Sequence, residues 1–89
     1  MQKNRYWLNT AGQLHRDQDL PAQEYGNGDR EWWVNGKQHR DHGLPAVDCI
    51  DGHREWWVNG LHHRTEGPAV ERADGSREWW VNGVQYPAP

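Results

Sequence analysis

The segment Arg-Glu-Trp-Trp-Val-Asn-Gly occurs three times in this chain of 89 residues, at residues 30–36, 54–60 and 77–83. A weaker copy that begins at Arg5 lies near the start. Successive full copies start 24 and then 23 residues apart. A fixed period of this size indicates one supersecondary unit that is stacked on itself. The repeat therefore predicts an array of similar units.

Four units can be written, and they form a single repeat domain over residues 1–89. They cover residues 5–29, 30–53 and 54–76, with a half-unit at 77–89. No apolar period of 3.6 residues marks a helix, and turn residues separate short runs of β-forming residues. We expect an all-β fold in which tandem β-hairpin repeats, about 3.5 of 23–24 residues each, form an elongated, twisted antiparallel meander sheet.

The composition limits how this fold is stabilised. Hydrophobic residues make up 34% of the chain, with no Phe, seven Trp and three Tyr, so aromatic side chains must supply most of the buried area. Cys49 is the only cysteine, which excludes an intrachain disulfide. Because small scaffolds often need further support, we expect a homodimer.

Charge and hydropathy exclude several classes of protein. The net charge is −3 and acids alternate with bases, whereas a nucleic-acid binder would present a basic face. No stretch approaches the ~18 apolar residues that a membrane span requires, and no apolar segment follows Met1. The expected location is the cytoplasm, without a membrane span.

The Asn-Gly pairs predict two-residue hairpin turns, because both residues tolerate positive φ. Such a turn pairs Val34 with Lys37 and then places Trp32 opposite His39. The same register sets Glu31 opposite Arg40 and Glu55 opposite Arg64, and in the last unit Trp79 opposite Tyr86. Opposite charges in these pairs favour the register.

A second turn in each unit ends in Gly, at residues 26–28, 50–52 and 73–75. A two-residue loop there would place acidic residues opposite each other in every unit. A three-residue loop with its Gly in the left-handed region instead pairs Glu24 with Arg30, Asp48 with Arg54 and Glu71 with Arg77. Since opposite charges across a hairpin are favourable, we predict the bulged turn.

Side chains alternate across a strand, so the two Trp of each pair lie on opposite faces. The first-Trp face, which we expect to be protected, comprises Trp32, Val34, Trp56, Val58, Trp79 and Val81, with Ala22, Ala46 and Ala69 beside them. The second-Trp face, which we expect to be the contact surface, comprises Trp33, Trp57, Trp80, Glu31, Glu55 and Glu78.

These units resemble MORN-type repeats, which are short β-hairpins that stack into a single-layer sheet. The resemblance lies in the run from Glu55 to Gly60, in Gly43 and Gly67 after the basic segments, and in the Asp-Gly turns. Arg-Glu-Trp-Trp replaces the Tyr-x-Gly opening that is usual in that family. The resemblance implies a non-catalytic scaffold for protein contacts, homodimerisation or lipid headgroups.

The aromatic hairpins are also similar to cell-wall-binding modules, in which side chains of adjacent hairpins enclose choline or stack on sugars. Trp33, Trp57 and Trp80 could bind a quaternary ammonium or a sugar in this way. Those modules are secreted, and no signal peptide is visible here. The alternative is that both sets of Trp hold the sheet together or pack against a second copy.

Metal binding and catalysis are less favoured. His39 and His42, or alternatively His62 and His63, supply nitrogen ligands, and Asp41 or Glu66 supplies oxygen ligands. A structural zinc site needs four converging ligands, whereas these histidines recur at the repeat period on separate strands. Cross-strand packing on Trp explains His39 and His63. Cys49 has no activating base in the pattern, so we predict no enzyme activity, no metal and no cofactor.

The leading hypothesis is a non-catalytic protein–protein interaction module, possible roles being a small inhibitor, antitoxin or adaptor of bacterial or phage origin. The alternatives are a carbohydrate- or choline-binding module and a structural homo-oligomer. The predicted binding surface consists of Trp33, Trp57, Trp80, Glu31, Glu55, Glu78, Arg40 and Arg64.

Overall fold

The computed structural model describes residues 3–89, and within this range the chain is β-structure without a helix. The predicted all-β fold built of hairpins is confirmed. The strands are β1 (Arg5–Tyr6), β2 (Gln23–Glu24), β3 (Arg30–Glu31), β4 (Trp33–Val34), β5 (Lys37–Gln38), β6 (Val47–Asp48), β7 (Arg54–Glu55), β8 (Trp57–Val58), β9 (Leu61–His62), β10 (Val70–Glu71), β11 (Arg77–Val81) and β12 (Val84–Tyr86).

Eight strands form one antiparallel sheet in the order β1-β2-β3-β6-β7-β10-β11-β12. The pairs β4–β5 and β8–β9 are separate two-stranded hairpins. Each continues directly from a strand of the large sheet, since only Trp32 separates β3 from β4 and only Trp56 separates β7 from β8. The last unit has no such break, because β11 runs unbroken from the large sheet into its hairpin with β12.

The break occurs where the neighbouring strand is interrupted by a loop. The Trp32 amide donates to the Ala46 carbonyl at 2.7 Å, and the Trp32 carbonyl accepts from the His39 amide at 3.2 Å. Residues 41–44 form the loop between these two partners. Residues 30–34 therefore pair first with the Pro-Ala-Val strand and then with the strand that follows the Asn-Gly turn. Trp56 repeats the arrangement with Ala69 and His63.

The predicted Asn-Gly turns are confirmed. Val34 pairs with Lys37, and Trp79 pairs with Tyr86 at the end of the last hairpin. Asn35, like Asn59 and Asn82, has a positive φ, here 49°, as a two-residue hairpin turn of this type requires.

The predicted bulged turns are also confirmed, because Glu24 pairs with Arg30, Asp48 with Arg54 and Glu71 with Arg77. Asp48 bonds to both neighbouring strands, with Arg54 Nε at 3.3 Å and Arg30 Nη2 at 3.2 Å. The charge pattern thus identified the register correctly.

The predicted pairing of Glu31 with Arg40, and of Glu55 with Arg64, is wrong. The Arg40 amide instead donates to the Trp57 carbonyl of the next unit at 3.1 Å, and the Arg64 amide donates to the Trp80 carbonyl at 3.0 Å. The chain turns into the loop after His39 and His63, so each Arg lies over the first-Trp face and not beside the glutamate.

The core lies mainly on the first-Trp face, as expected. Trp32 and Trp56 are 4% and 6% exposed, and the three Ala of the Pro-Ala strands are fully buried. Trp79 is only half-buried, because no later unit covers it. The sequence did not identify Val47 and Val70, which are buried on the other face, opposite Glu31 and Glu55 in the sheet register.

Successive units are joined by the same backbone bond. The Gly of each Asn-Gly turn donates its amide to the preceding unit, from Gly36 to Leu14, Gly60 to Gln38 and Gly83 to His62, each at 2.9 Å. At the end of the array Pro87 occupies the place of Arg40 and Arg64. Because proline has no amide hydrogen, residue 87 cannot donate the bond that the Arg40 and Arg64 amides donate to the carbonyls of Trp57 and Trp80.

No helix within residues 3–89 is long and apolar enough to cross a membrane.

Candidate functional site

Each full unit stacks an arginine on its first tryptophan. The guanidinium carbon lies 3.7 Å from the ring centroid for Arg16 on Trp7, and 3.8 Å for both Arg40 on Trp32 and Arg64 on Trp56. The Nη1 atoms of Arg40 and Arg64 also donate to the carbonyls of Pro45 and Pro68 at 3.1 Å. Stacking and this hydrogen bond hold each guanidinium in place.

The loops that follow these arginines lie against the first-Trp face. Trp32 Nε1 donates to the Asp19 carbonyl at 3.0 Å, and Trp56 Nε1 donates to the Gly43 carbonyl at 2.9 Å. The first two loops are thereby attached to the first tryptophan of the following unit. The loops at residues 17–20, 41–44 and 65–67 therefore form a row at the repeat period.

Two clefts lie between these loops. The Arg40 cleft, between the first and second loops, has a volume of about 360 Å³, and the Arg64 cleft, between the second and third, about 370 Å³. Each has a first Trp, a Val of the same strand, an Arg and a His in its lining, with Leu20 or Leu44 on one loop. These leucines are 41% and 39% exposed, so each cleft has an apolar edge beside charged walls.

The histidines of the His-Arg pairs have a structural role. His39 Nδ1 accepts the Asn59 amide of the next unit at 2.9 Å, while its Nε2 lies 2.7 Å from Asp41 Oδ1. His15 and His63 accept the amides of Asn35 and Asn82 in the same way. Accepting an amide at Nδ1 requires the proton on Nε2. These bonds hold neighbouring turns in register, a role that the sequence did not predict.

The second-Trp face is held together by glutamates. Nε1 of Trp33, Trp57 and Trp80 donates to the glutamate two residues earlier on the same strand, at 3.0, 2.8 and 2.8 Å. Six of the eight predicted site residues thus form three identical Trp–Glu pairs on one face. The other two, Arg40 and Arg64, lie in the clefts, whose linings also include Trp33 and Trp57 but neither Trp80 nor the three glutamates.

A stack of rings runs along part of this face. The ring centroid of His62 lies 3.7 Å from that of Trp57 and 5.2 Å from that of Trp80. His62 therefore occupies the space between two of the tryptophans that were predicted to enclose a ligand. Gln38 takes the place of His62 in the preceding hairpin.

Glu55 is the most heavily bonded carboxylate of this face. It accepts from Trp57 Nε1 and also lies 2.6 Å from His53 Nε2 and 3.1 Å from His62 Nε2. Burial acts to raise the pKa of Glu55, but the hydrogen bonds from His53, His62 and Trp57 outweigh it and lower the pKa below its usual value. The ionised form is therefore the one that the fold stabilises.

We expect Glu55→Gln to lower the free energy of unfolding by about 1–3 kcal/mol at neutral pH, because charge-assisted hydrogen bonds are lost. A carboxylate with a lowered pKa in the folded state stabilises the fold above its ordinary pKa, and this contribution is lost as the pH falls through the folded value. The difference between native protein and variant should therefore shrink below about pH 4.

Urea unfolding at several pH values between 7 and 2 measures this difference. The matched control is Glu66→Gln, at an exposed glutamate that makes no hydrogen bond among the described residues. A Glu55→Gln effect that stays constant over the whole range would contradict the assigned role.

The described side chains do not form a metal site, and the thiol of Cys49 is not activated as a nucleophile. No cluster of three or more His, Cys, Asp or Glu side chains within residues 3–89 could hold a metal ion. Burial and the nearby Asp29 raise the pKa of the Cys49 thiol to about 11, so it is protonated at neutral pH. A protonated thiol is a weak nucleophile.

Comparison of the chain with protein-family models, with curated proteins and with solved structures finds no significant match.

Proposed function

We propose that this chain is a non-catalytic module that binds another protein through the row of clefts on its first-Trp face. The observation that carries the proposal is the recurrence of one cleft. The Arg40 and Arg64 clefts have nearly equal volumes and lie one repeat apart, with corresponding residues in their linings. Similar clefts at regular intervals suit a chain-like ligand, such as an extended segment of a partner protein.

The chemistry of the clefts supports a polypeptide partner. Arginine is enriched at the residues that contribute most to protein–protein binding, and each cleft presents one in a fixed position on a buried tryptophan. The exposed leucines add apolar contact area at the edges. Because stacking already orders the arginines, binding would lose less side-chain entropy than binding by free arginines would.

Backbone strain at the cleft edges also supports binding at the clefts. Gln18 and His42 have φ values of 65°, a left-handed conformation that is unfavourable for residues with side chains and common for glycine. Both are exposed, and both border a cleft. Strained residues persist where the surrounding structure or a function requires them.

The experiment is a pull-down from host lysate with paired variants. We expect the native chain to capture one stoichiometric protein, and Leu20→Glu/Leu44→Glu to lose it, because two charges then stand at the cleft edges. Val84→Glu makes the same kind of change at a site that is 55% exposed on the last hairpin and should retain the partner. If all three chains capture the same protein equally, binding does not use the clefts.

We also propose a cytoplasmic homodimer. The edge strand β1 and its hairpin expose Tyr6 and Leu8, which are 63% and 50% accessible, whereas Pro87 removes one backbone donor next to the opposite edge strand β12. Pairing of two copies through β1 would be isologous, as in most dimers. Sedimentation at several concentrations tests it, and a monomer at every concentration would exclude the dimer.

A further inference from the structure

The arginines of the two clefts form different ion pairs. In the Arg40 cleft, Asp19 of the preceding loop bonds to the guanidinium edge of Arg40, with Oδ1 3.0 Å from Nε and Oδ2 3.4 Å from Nη2. The corresponding residue before Arg64 is Gly43, which has no side chain. Among the described residues, Arg64 bonds only through Nη1, to the Pro68 carbonyl and to Glu71.

The two guanidiniums share two contacts, although within residues 3–89 only Arg64 also bonds to a carboxylate of its own unit, with Nη1 3.5 Å from Glu71 Oε2. Arg40 and Arg64 both lie 3.8 Å from the ring centroid of their tryptophan, and both donate from Nη1 to a proline carbonyl at 3.1 Å. The Arg64 side chain is 24% exposed and that of Arg40 is 15% exposed. The Nε and Nη2 atoms of Arg64 thus form a fixed pair of donors where the Arg40 cleft has the Asp19 carboxylate.

We propose that the Arg64 cleft binds a carboxylate of a partner polypeptide, with Nε and Nη2 of Arg64 as the donors. Nε and Nη2 donate in parallel, which suits the two oxygens of a carboxylate. Asp19 in the Arg40 cleft shows the geometry that the ligand would adopt. This inference rests on the proposed protein-binding function and specifies the chemistry of the partner.

The acidic residues around the cleft are compatible with this ligand. Asp41 and Glu66 line the Arg64 cleft, and Asp17 and Asp41 line the Arg40 cleft, where the Asp19 carboxylate is nevertheless bound. Asp41 also lies 2.7 Å from His39 Nε2, which engages one of its oxygens. An arginine with an acidic surround therefore already binds a carboxylate in this fold.

The test is an NMR titration of the arginine Nε–H resonances of the ¹⁵N-labelled chain at constant ionic strength. The probes are acetate, N-acetylaspartic acid α-amide for a side-chain carboxylate, N-acetylglycine for a terminal carboxylate and N-acetylglycinamide as the neutral control. We expect a saturable shift of Arg64 with a dissociation constant on the order of millimolar, and no such shift of Arg40. Whichever of N-acetylaspartic acid α-amide and N-acetylglycine binds more tightly identifies the source as a side-chain or a terminal carboxylate.

Two reciprocal variants make the test specific. Gly43→Asp should place a carboxylate beside Nε and Nη2 of Arg64 and raise the dissociation constant of the carboxylate probes at least about tenfold. An aspartate fits there because Asp19 has a φ of 58° at the corresponding position, close to the 70° of Gly43. Asp19→Gly should create a second site, with a new saturable shift at Arg40. A gain of binding cannot result from unfolding, so this variant decides the matter if Gly43→Asp does not fold.

Equal responses of Arg40 and Arg64 in the native chain, or an unchanged Arg64 response in Gly43→Asp, would overturn the site. The proposed protein-binding function can be rejected independently of the carboxylate site. If the carboxylate probes bind but no protein is captured from lysate, the carboxylate site stands and the protein-binding function fails. If a protein is captured equally well by Gly43→Asp, the function stands and the carboxylate site is not used.

Discussion

Replacing Trp56 by alanine is expected to lower the free energy of unfolding by about 3–5 kcal/mol. Trp56 is 6% exposed, so the substitution leaves a large cavity. It also removes the hydrogen bond from Nε1 to the Gly43 carbonyl and the ring on which Arg64 stacks. Because a domain of this size is marginally stable, we expect a largely unfolded chain at room temperature.

The control is the adjacent Trp57→Ala, which removes the same side chain from the opposite face. Trp57 is half-buried, and its partners are the ring of His62 and the carboxylate of Glu55. We expect a loss of about 1–3 kcal/mol. Circular dichroism with urea, at low temperature for the weaker variant, measures both. If Trp57→Ala were as destabilising as Trp56→Ala, the assignment of the core to the first-Trp face would be wrong.

Gly28→Ala is expected to lower the free energy of unfolding by about 2–4 kcal/mol. Gly28 has a φ of 102°, which any residue with a β-carbon adopts with strain. An added β-carbon would also lie 2.9 Å from Ile50 Cγ2 in the corresponding turn of the next unit. The substitution thus strains its own turn and separates two units.

Gly52→Ala separates these two effects. Gly52 has nearly the same φ, 98°, but an added β-carbon would meet no atom within 4 Å. It should therefore show only the backbone strain, about 1–2 kcal/mol. The difference between the variants measures the contact between units, and Ile50→Ala in the Gly28→Ala background should recover most of it. Equal losses at both glycines would exclude this contact.

The turns of the fold were predictable because local chemistry determines them. Asn35 and Gly36 favour the positive φ of a two-residue hairpin, and the register of Val34 with Lys37 follows directly. The bulged turns were predictable because a two-residue loop would place like charges opposite each other. The three-residue loop instead pairs Asp48 with Arg54, as observed. These features depend on residues only a few positions apart.

The position of Arg40 was not predictable by the same reasoning. Strand register places it opposite Glu31, but the strand ends at the loop and the side chain stacks on Trp32 and bonds to Asp19 of the preceding unit. This contact joins residues 21 positions apart. The bond from the Asn59 amide to His39 is similarly distant, and a histidine in a strand does not by itself indicate an amide acceptor.

The sequence shows that Asp19 and Gly43 differ at equivalent positions, but it does not show what this difference does. Asp19 and Gly43 occupy equivalent places in two loops that otherwise share an Arg-Asp start and a Leu-Pro-Ala end. Such a difference in a repeat marks a position where the units diverge. Only the bonds from Arg40 to Asp19 show that the divergence leaves Nε and Nη2 of Arg64 without a carboxylate among the described residues.

The central claim is that a partner binds on the first-Trp face, and the indole Nε1–H resonances of the seven tryptophans test it most directly. Trp32 and Trp56 donate to the loops that form the clefts, whereas Trp80 donates to Glu78 on the opposite face and lines neither cleft. Addition of the protein captured in the pull-down should shift the resonances of Trp32 and Trp56 and leave that of Trp80 in place. A shift of Trp80 with Trp32 and Trp56 unchanged would contradict the account.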